Sequence, residues 1–474
     1  MKRFILIVVL AALVAGAWTF SRTGLHRIYL PTATGITAKQ VCSLHFVSGL
    51  APERARALYI DPLLGDAGRF VSMSVGDGEV RSSIFGLYGQ RAAFREGLGC
   101  TLVHDADAFD PDLALPRESE FAPMPLDAAH RDAAFDVAAL DAAIDAAFAE
   151  PEGGGRNTLA VVVLHDGRLV AERYADGITS ATPLHGWSMT KSLAATLAGA
   201  MVQRGEIALD APAITDEAAL EETPEKADIT LEHLLRMTAG LDITEDNDGT
   251  DPNSDMLFTE GDMATWAARR ERLFAPGEHW EYMSGQTVLA TARMQEEIEG
   301  GLIDDLAGVR DRVFEPLDMG SAIFETDQAG NLQGSSYMYA AAQDWARMGQ
   351  LYLDDGLAPD GTRILPADWD EIVATPTDGS NAAYGLGFWL GHPRDEALDT
   401  GYYMSGFQGQ FGYVLPEQNL VVVRMGATNF TSDGGYDLAS AVAAALRPAP
   451  APEPETPPVE EAPGPEVPED GSPQ

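Results

Sequence analysis

Trp187-Ser188-Met189-Thr190-Lys191-Ser192 decides how the rest of this chain is read. The alanine-rich run that follows, with Ala194, Ala195, Leu197, Ala198, Ala200 and Met201, predicts a helix over 188–204. Residues three apart share one helix face, so the Ser188 hydroxyl and the Lys191 amine meet there. A serine hydroxyl is a poor nucleophile until a base takes its proton. Lysine is such a base only when desolvation or neighbouring cations lower its pKa, and arginine cannot replace it because the guanidinium stays protonated. The only lysines are Lys2, Lys39, Lys191 and Lys226, and every other basic residue apart from histidine is arginine. Lys191 therefore stands where arginine would fail. The plain alternative is a surface lysine that happens to follow a serine. A helix start at Ser188 adds backbone N–H groups that can face a developing oxyanion.

On the N-terminal side, 159–164 reads as a buried strand, Asp166-Gly167 as a two-residue turn and 168–174 as the antiparallel return. Before it, Phe135, Val137, Leu140, Ile144 and Phe148 predict one amphipathic helix over 130–149. On the C-terminal side, 231–237 and 343–353 read as helices, and 385–390, 410–415 and 420–425 as strands. Strands at both ends with helices between predict an antiparallel sheet that joins the two ends of one domain.

Met1-Lys2-Arg3 followed by the apolar run 4–17 and Ala15-Gly16-Ala17 reads as an export signal. Two outcomes stay open: cleavage into the periplasm, or a single N-terminal anchor in the inner membrane, since the apolar run is only slightly short of a bilayer span. Cys42 and Cys100, the only cysteines, either form one disulfide in an oxidising compartment or stay as buried thiols. Strands or edges at 69–75, 79–87 and 90–95 between them predict a small α+β module. The expected organisation is a signal or anchor at 1–20, a small module at 37–104, a linker at 105–129, a catalytic domain at 130–447 and a Pro/Glu-rich tail at 448–474.

The formal net charge is −42, and the seven acidic residues of that tail still leave about −35 on the remainder. Such a surface argues against nucleic acid or bare anionic lipid as a partner. His185, His233 and His279 are isolated and have no metal-ligand spacing, so neither metal nor cofactor is expected. The oligomeric state is not legible.

Two further stretches carry chemistry. In Trp280-Glu281-Tyr282-Met283-Ser284-Gly285, a tyrosine beside a lysine ammonium would ionise more readily and pass a proton on; a half-buried core tyrosine is the plain alternative. In Met404-Ser405-Gly406-Phe407-Gln408-Gly409-Gln410, glycines let a substrate approach a strand edge, and the Phe407 N–H can face an oxyanion. A loop entering a strand has the same composition.

Taken in order, the three stretches resemble the serine β-lactamase and penicillin-binding-protein superfamily, in its class C β-lactamase-like branch. Ser188-Met189-Thr190-Lys191 is similar to the SxxK box and Tyr282-Met283-Ser284 to the YxN box in a YxS form, while Met404-Ser405-Gly406 falls where the KTG box lies. The segments 230–235, 237–241, 314–319 and 334–336 agree, and the resemblance covers roughly 130–447. It implies a mainly antiparallel sheet flanked by helices, with an all-helical subdomain, and an acyl-enzyme on Ser188. Lys191 and Tyr282 would move protons, Ser284 would occupy the second box, and Phe407, with Ser405 and Gly406, would form the oxyanion and substrate strand. Class C β-lactamases have asparagine and lysine where this chain has Ser284 and Met404. Without that cation to grip a carboxylate, a linear ester or amide fits better than a β-lactam or peptide terminus. The segment 406–410 looks like that of 6-aminohexanoate-dimer hydrolases and related esterases. An idle envelope sensor, an interaction scaffold, and a β-lactamase or DD-peptidase proper are the competing readings.

Overall fold

The computed structural model describes residues 25–116, 121–215, 217–429 and 435–448. The segment read as an export signal and the tail beyond residue 448 lie outside the described residues. No helix among the described residues is long and apolar enough to cross a membrane.

The first long element is a helix that the sequence reading did not assign. Leu30–Phe46 is a helix of 17 residues, and every residue from Thr32 to Leu44 is buried. It lies against an antiparallel meander of β1 (Val71–Gly76), β2 (Glu79–Ile84), β3 (Leu87–Arg95) and β4 (Gly99–Leu102). Cys42 on the helix and Cys100 on β4 form a disulfide, with Cα atoms 6.1 Å apart. The disulfide, not the free-thiol alternative, is what the fold contains.

The helix expected over 130–149 is in fact two, Ala128–Ala134 and Val137–Phe148. Phe135 leaves the helical conformation, is fully buried and bridges to Leu446. Asp136 then starts the second helix, its carboxylate accepting from the Ala138 and Ala139 N–H groups as an N-cap. A hairpin follows, β5 (Thr158–His165) and β6 (Arg168–Tyr174). Its turn residues Asp166 and Gly167 both have positive φ, +50° and +70°, as a two-residue hairpin turn requires.

Next, β7 (Leu184–His185), β8 (Ile323–Phe324) and β9 (Met338–Ala340) make a small sheet in the order β7-β9-β8. The last strands are β10 (Trp389–Leu390), β11 (Tyr402–Gly406), β12 (Gln410–Leu415) and β13 (Leu420–Gly426). With the early hairpin they form a six-stranded antiparallel sheet, β10-β11-β12-β13-β5-β6. The central pairing is β13 with β5, in the register Val422↔Val163. Both faces of the sheet are covered. Val161, Val163 and Val422 pack toward the helices Val137–Phe148 and Leu438–Ala444, while Ala160, Val162 and Leu164 join the main core on the other side. That two-sided burial explains the unbroken apolar run of β5.

The strand expected over 385–390 is shorter than its pattern suggests, because only Trp389–Leu390 pairs. Gly385 N–H donates to Phe388 O and Leu386 N–H to Val373 O, so the first residues turn back on themselves and are unavailable to a ladder.

Candidate active site

The helix Met189–Gln203 starts at Ser188, and the backbone before it is under strain. Trp187 has φ +48°, a conformation that costs a non-glycine residue on the order of 1 kcal/mol or more. Its surroundings hold it there: the indole packs 4.1 Å from the His185 ring, meets Phe407 edge-on at 5.4 Å, and donates to Gln408 Oε1 at 3.2 Å. Ser188 is thereby fixed, partly exposed, at the floor of a cavity of about 380 Å³ that also touches Tyr282, Ser405, Gly406 and Phe407.

One turn into the helix, Lys191 is buried, and its Nζ lies 3.0 Å from Ser188 Oγ, 2.9 Å from Ser284 Oγ and 3.3 Å from the Ser335 carbonyl. Burial lowers its pKa to about 8, and the partly opposing influence is the Glu245 carboxylate. Ser284 opens the helix Ser284–Gln295; both its N–H and its hydroxyl donate to Glu245 Oε2, at 2.6 and 2.8 Å. A continuous polar path therefore runs from Glu245 through Ser284 and Lys191 to Ser188.

Tyr282 lines the cavity with Ser188, and its ring lies 4.7 Å from Lys191 Nζ. Tyr384 and Trp389 pack on it at ring separations of 5.7 and 5.1 Å. The expectation that Tyr282 ionises readily is reversed by this setting. Burial, followed by the charge of Glu245 and the neighbouring Tyr384, holds the phenol well above its ordinary value, outweighing the lowering influence of the Ser188 side chain. The two shifts run in opposite senses: the phenol is pushed toward its neutral form, and the Lys191 amine toward its own neutral form.

Opposite Ser188, β11 brings Ser405 and Gly406 to the cavity. Gly406 approaches the chain so closely that a Cβ would come within 2.2 Å of the Gly186 carbonyl oxygen, so only glycine fits. Met404 of β11, which the resemblance sets where class C β-lactamases carry lysine, is fully buried and is not among the described residues lining the cavity. Among the described residues that line it there is no Lys, Arg or His, whereas Glu245 and Asp248 are present.

Glu245 and Ser335 are the members that sequence reasoning missed. Glu245 sits in the acidic stretch Glu245-Asp246-Asn247-Asp248, with nothing local to set it apart from the chain's 73 acidic residues. Away from the cavity, His130, His165 and Asp166 bring potential ligand atoms within 4.8 Å of one another, a proximity that sequence spacing did not reveal. The two rings hydrogen-bond each other at 2.8 Å. Of the isolated histidines, His185 is buried, with Nε2 2.6 Å from the Ser336 carbonyl.

A nucleophile-and-amine pair at a helix start, a tyrosine over the amine and an opposing strand edge form one constellation, and the β-lactamase family model matches residues 141–446. The chain belongs to the β-lactamase family. Within the wider serine β-lactamase and penicillin-binding-protein superfamily, it is 25% identical over 299 residues to a 6-aminohexanoate-dimer hydrolase of Paenarthrobacter ureafaciens, a match covering 56% of this chain and 72% of the relative. It is 28% identical over 356 residues to penicillin-binding protein 4 of Amycolatopsis lactamdurans, covering 65% and 89% respectively. A solved structure from Bacillus anthracis, provisionally named a 6-aminohexanoate-dimer hydrolase, superposes with a TM-score of 0.54 at 21% identity and covers 68% of this chain and 86% of its own. The fold is β-lactamase-like, and the chain is a serine hydrolase.

Proposed function

We propose that this hydrolase cleaves a neutral ester or linear amide through an acyl-enzyme on Ser188. The observation that carries the reading is Lys191. Its amine is buried, held 3.0 Å from Ser188 Oγ, and has a pKa lowered to about 8, which suits a general base near neutral pH. As Ser188 Oγ bonds to the substrate carbonyl carbon, its proton passes to Lys191 Nζ and the carbonyl electrons move to oxygen, facing the N–H groups of Ser188 and Phe407. The neutral Tyr282 phenol donates to the departing alkoxide or amine and recovers a proton from Lys191. Water, losing a proton along the same route to Lys191 Nζ, then attacks the acyl carbon; the acyl–Oγ bond breaks, the acid leaves, and Lys191 returns the proton to Ser188 Oγ.

A carboxylate-bearing β-lactam or peptide terminus is disfavoured, because the described residues lining the cavity include Glu245 and Asp248 and no cation. Export to an oxidising compartment is part of the proposal, supported by the Cys42–Cys100 disulfide.

The test is turnover of p-nitrophenyl acetate and butyrate, a short aminohexanoate amide and nitrocefin, beside Ser188→Ala, with intact-mass detection of an acyl adduct. Turnover of ester or amide with nitrocefin untouched is expected. Absence of any adduct on Ser188 would overturn the proposal in favour of an idle binding protein.

A further inference from the structure

The cavity above Ser188 is not enclosed by the family-matched region alone. One of its walls is the helix Leu30–Phe46, which precedes residue 141, where that match begins. Ala33 and Ile36 lie one turn apart on the helix and line the cavity together, joined by Leu63 and Leu64 just beyond and by Leu257 and Phe258 of the helix Pro252–Thr259. The two helices approach backbone to backbone, since a Cβ on Gly35 would lie 2.2 Å from the Phe258 carbonyl oxygen.

The remaining faces of the N-terminal helix are anchored. Lys39 Nζ pairs with Glu325 with both side chains fully buried, and Glu325 also accepts from Ser43 Oγ and from the Cys100 N–H. Gln40 accepts from the Tyr339 hydroxyl at 2.9 Å, and Thr34 O accepts from Ser82 Oγ at 2.5 Å. The Cys42–Cys100 disulfide adds a covalent tie. From the segment that follows, the Tyr59 carbonyl accepts from Gln408 Nε2 at 3.2 Å, one residue past Phe407. An apolar surface held on this many sides cannot yield to a mismatched ligand without disrupting buried polar pairs.

We propose that the N-terminal helix is the specificity wall of the active site, and that the substrate carries an uncharged apolar arm that seats between Ile36 and Phe258. This rests on the acyl-enzyme reading above and adds the substrate class: hydrophobic, uncharged esters or amides in preference to short or anionic ones. Ile36 limits the length of the arm, because its side chain is the largest that the helix turns into the cavity among the apolar lining residues named on it.

The experiment uses the full-length protein and Ile36→Trp, Ile36→Ala and Leu63→Trp variants. Each is assayed with p-nitrophenyl esters from acetate to decanoate, which vary the acyl side, and with alkyl acetates from methyl to octyl, which vary the leaving side. Labelling of Ser188 by a small fluorophosphonate reports whether the catalytic centre has formed. In wild-type protein kcat/KM is expected to rise with arm length in one of the two series. Ile36→Trp or Leu63→Trp should lower the long-to-short ratio of kcat/KM by about 10-fold or more, and Ile36→Ala should move the optimum to longer arms. Normal Ser188 labelling with identical length profiles in all variants would overturn the specificity wall and leave the acyl-enzyme reading standing. Failure of wild-type Ser188 to label would sink that underlying reading instead. Should one tryptophan variant fail to label, the alanine variant and the other tryptophan decide the matter.

Discussion

Glu245 makes no hydrogen bond to Ser188, yet through Ser284 it is coupled to the amine that does: Ser284 Oγ donates to Glu245 Oε2 at 2.8 Å and lies 2.9 Å from Lys191 Nζ. The carboxylate favours the protonated amine, so it raises the Lys191 pKa against the lowering caused by burial. Glu245→Gln should therefore shift the rising limb of the pH–kcat/KM profile to lower pH. A shift upward, or none, would show that the path through Ser284 carries no charge coupling.

In the wild-type protein that rising limb is expected near pH 8, because the amine serves as a base only once neutral, and burial has brought its pKa to about 8. At pH 7 about a tenth of the sites would hold neutral Lys191. Lys191→Arg, which stays protonated, should abolish turnover, as should Ser188→Ala, whereas Tyr282→Phe should cost about 10² to 10⁴ in kcat. Activity in Lys191→Arg would remove the amine from the mechanism.

The same burial carries a stability cost. An unfolded lysine titrates near 10.5, so below pH 8 the amine is charged in both states and its desolvation opposes folding in full. That opposition fades as pH rises from 8 toward 10.5. Lys191→Met should thus be inactive and more stable at pH 7, by about 1–3 kcal/mol once lost hydrogen bonds are counted. Urea unfolding of the two proteins at pH 7 measures it.

Lys39 has the opposite sign. Removing one partner of a buried pair strands the other, so Lys39→Met should cost about 3–5 kcal/mol. Equilibrium unfolding checks this, and a loss under 1 kcal/mol would mean that Ser43 and the Cys100 N–H satisfy Glu325 without the lysine.

Reduction of the Cys42–Cys100 bond, which closes a sequence separation of 58 residues, should lower stability by about 2–4 kcal/mol. Thermal melts with and without dithiothreitol read the change directly, and the same samples assayed with a long-chain ester show whether the loosened helix also alters KM.

Much of the catalytic half was legible because its signals are local. The hairpin β5–β6 advertised itself by an apolar run and an Asp-Gly turn, and Ser188 and Lys191 by spacing on a helix start. The helix Leu30–Phe46 was not legible for a physical reason. Every residue from Thr32 to Leu44 is buried, so it has no exposed polar face to set a 3.6-residue rhythm, and its polar residues find partners far along the chain, as Lys39 does in Glu325. Glu245 escaped for a related reason, since its meaning comes from Ser284, 39 residues away. The break at Phe135 was hidden because a buried phenylalanine fits a helix stripe as well as it fits a bridge to Leu446.

The pairing of β5 with β13 joins residues 158–165 to 420–426 in the middle of the main sheet. A ribosome must have made nearly the whole domain before the strand carrying the early hairpin meets its central neighbour, and until then β5 offers an open apolar edge. The main sheet therefore cannot close until nearly the whole domain is available. A chain truncated before residue 420 would be left with that edge unpaired rather than fold to a smaller working hydrolase.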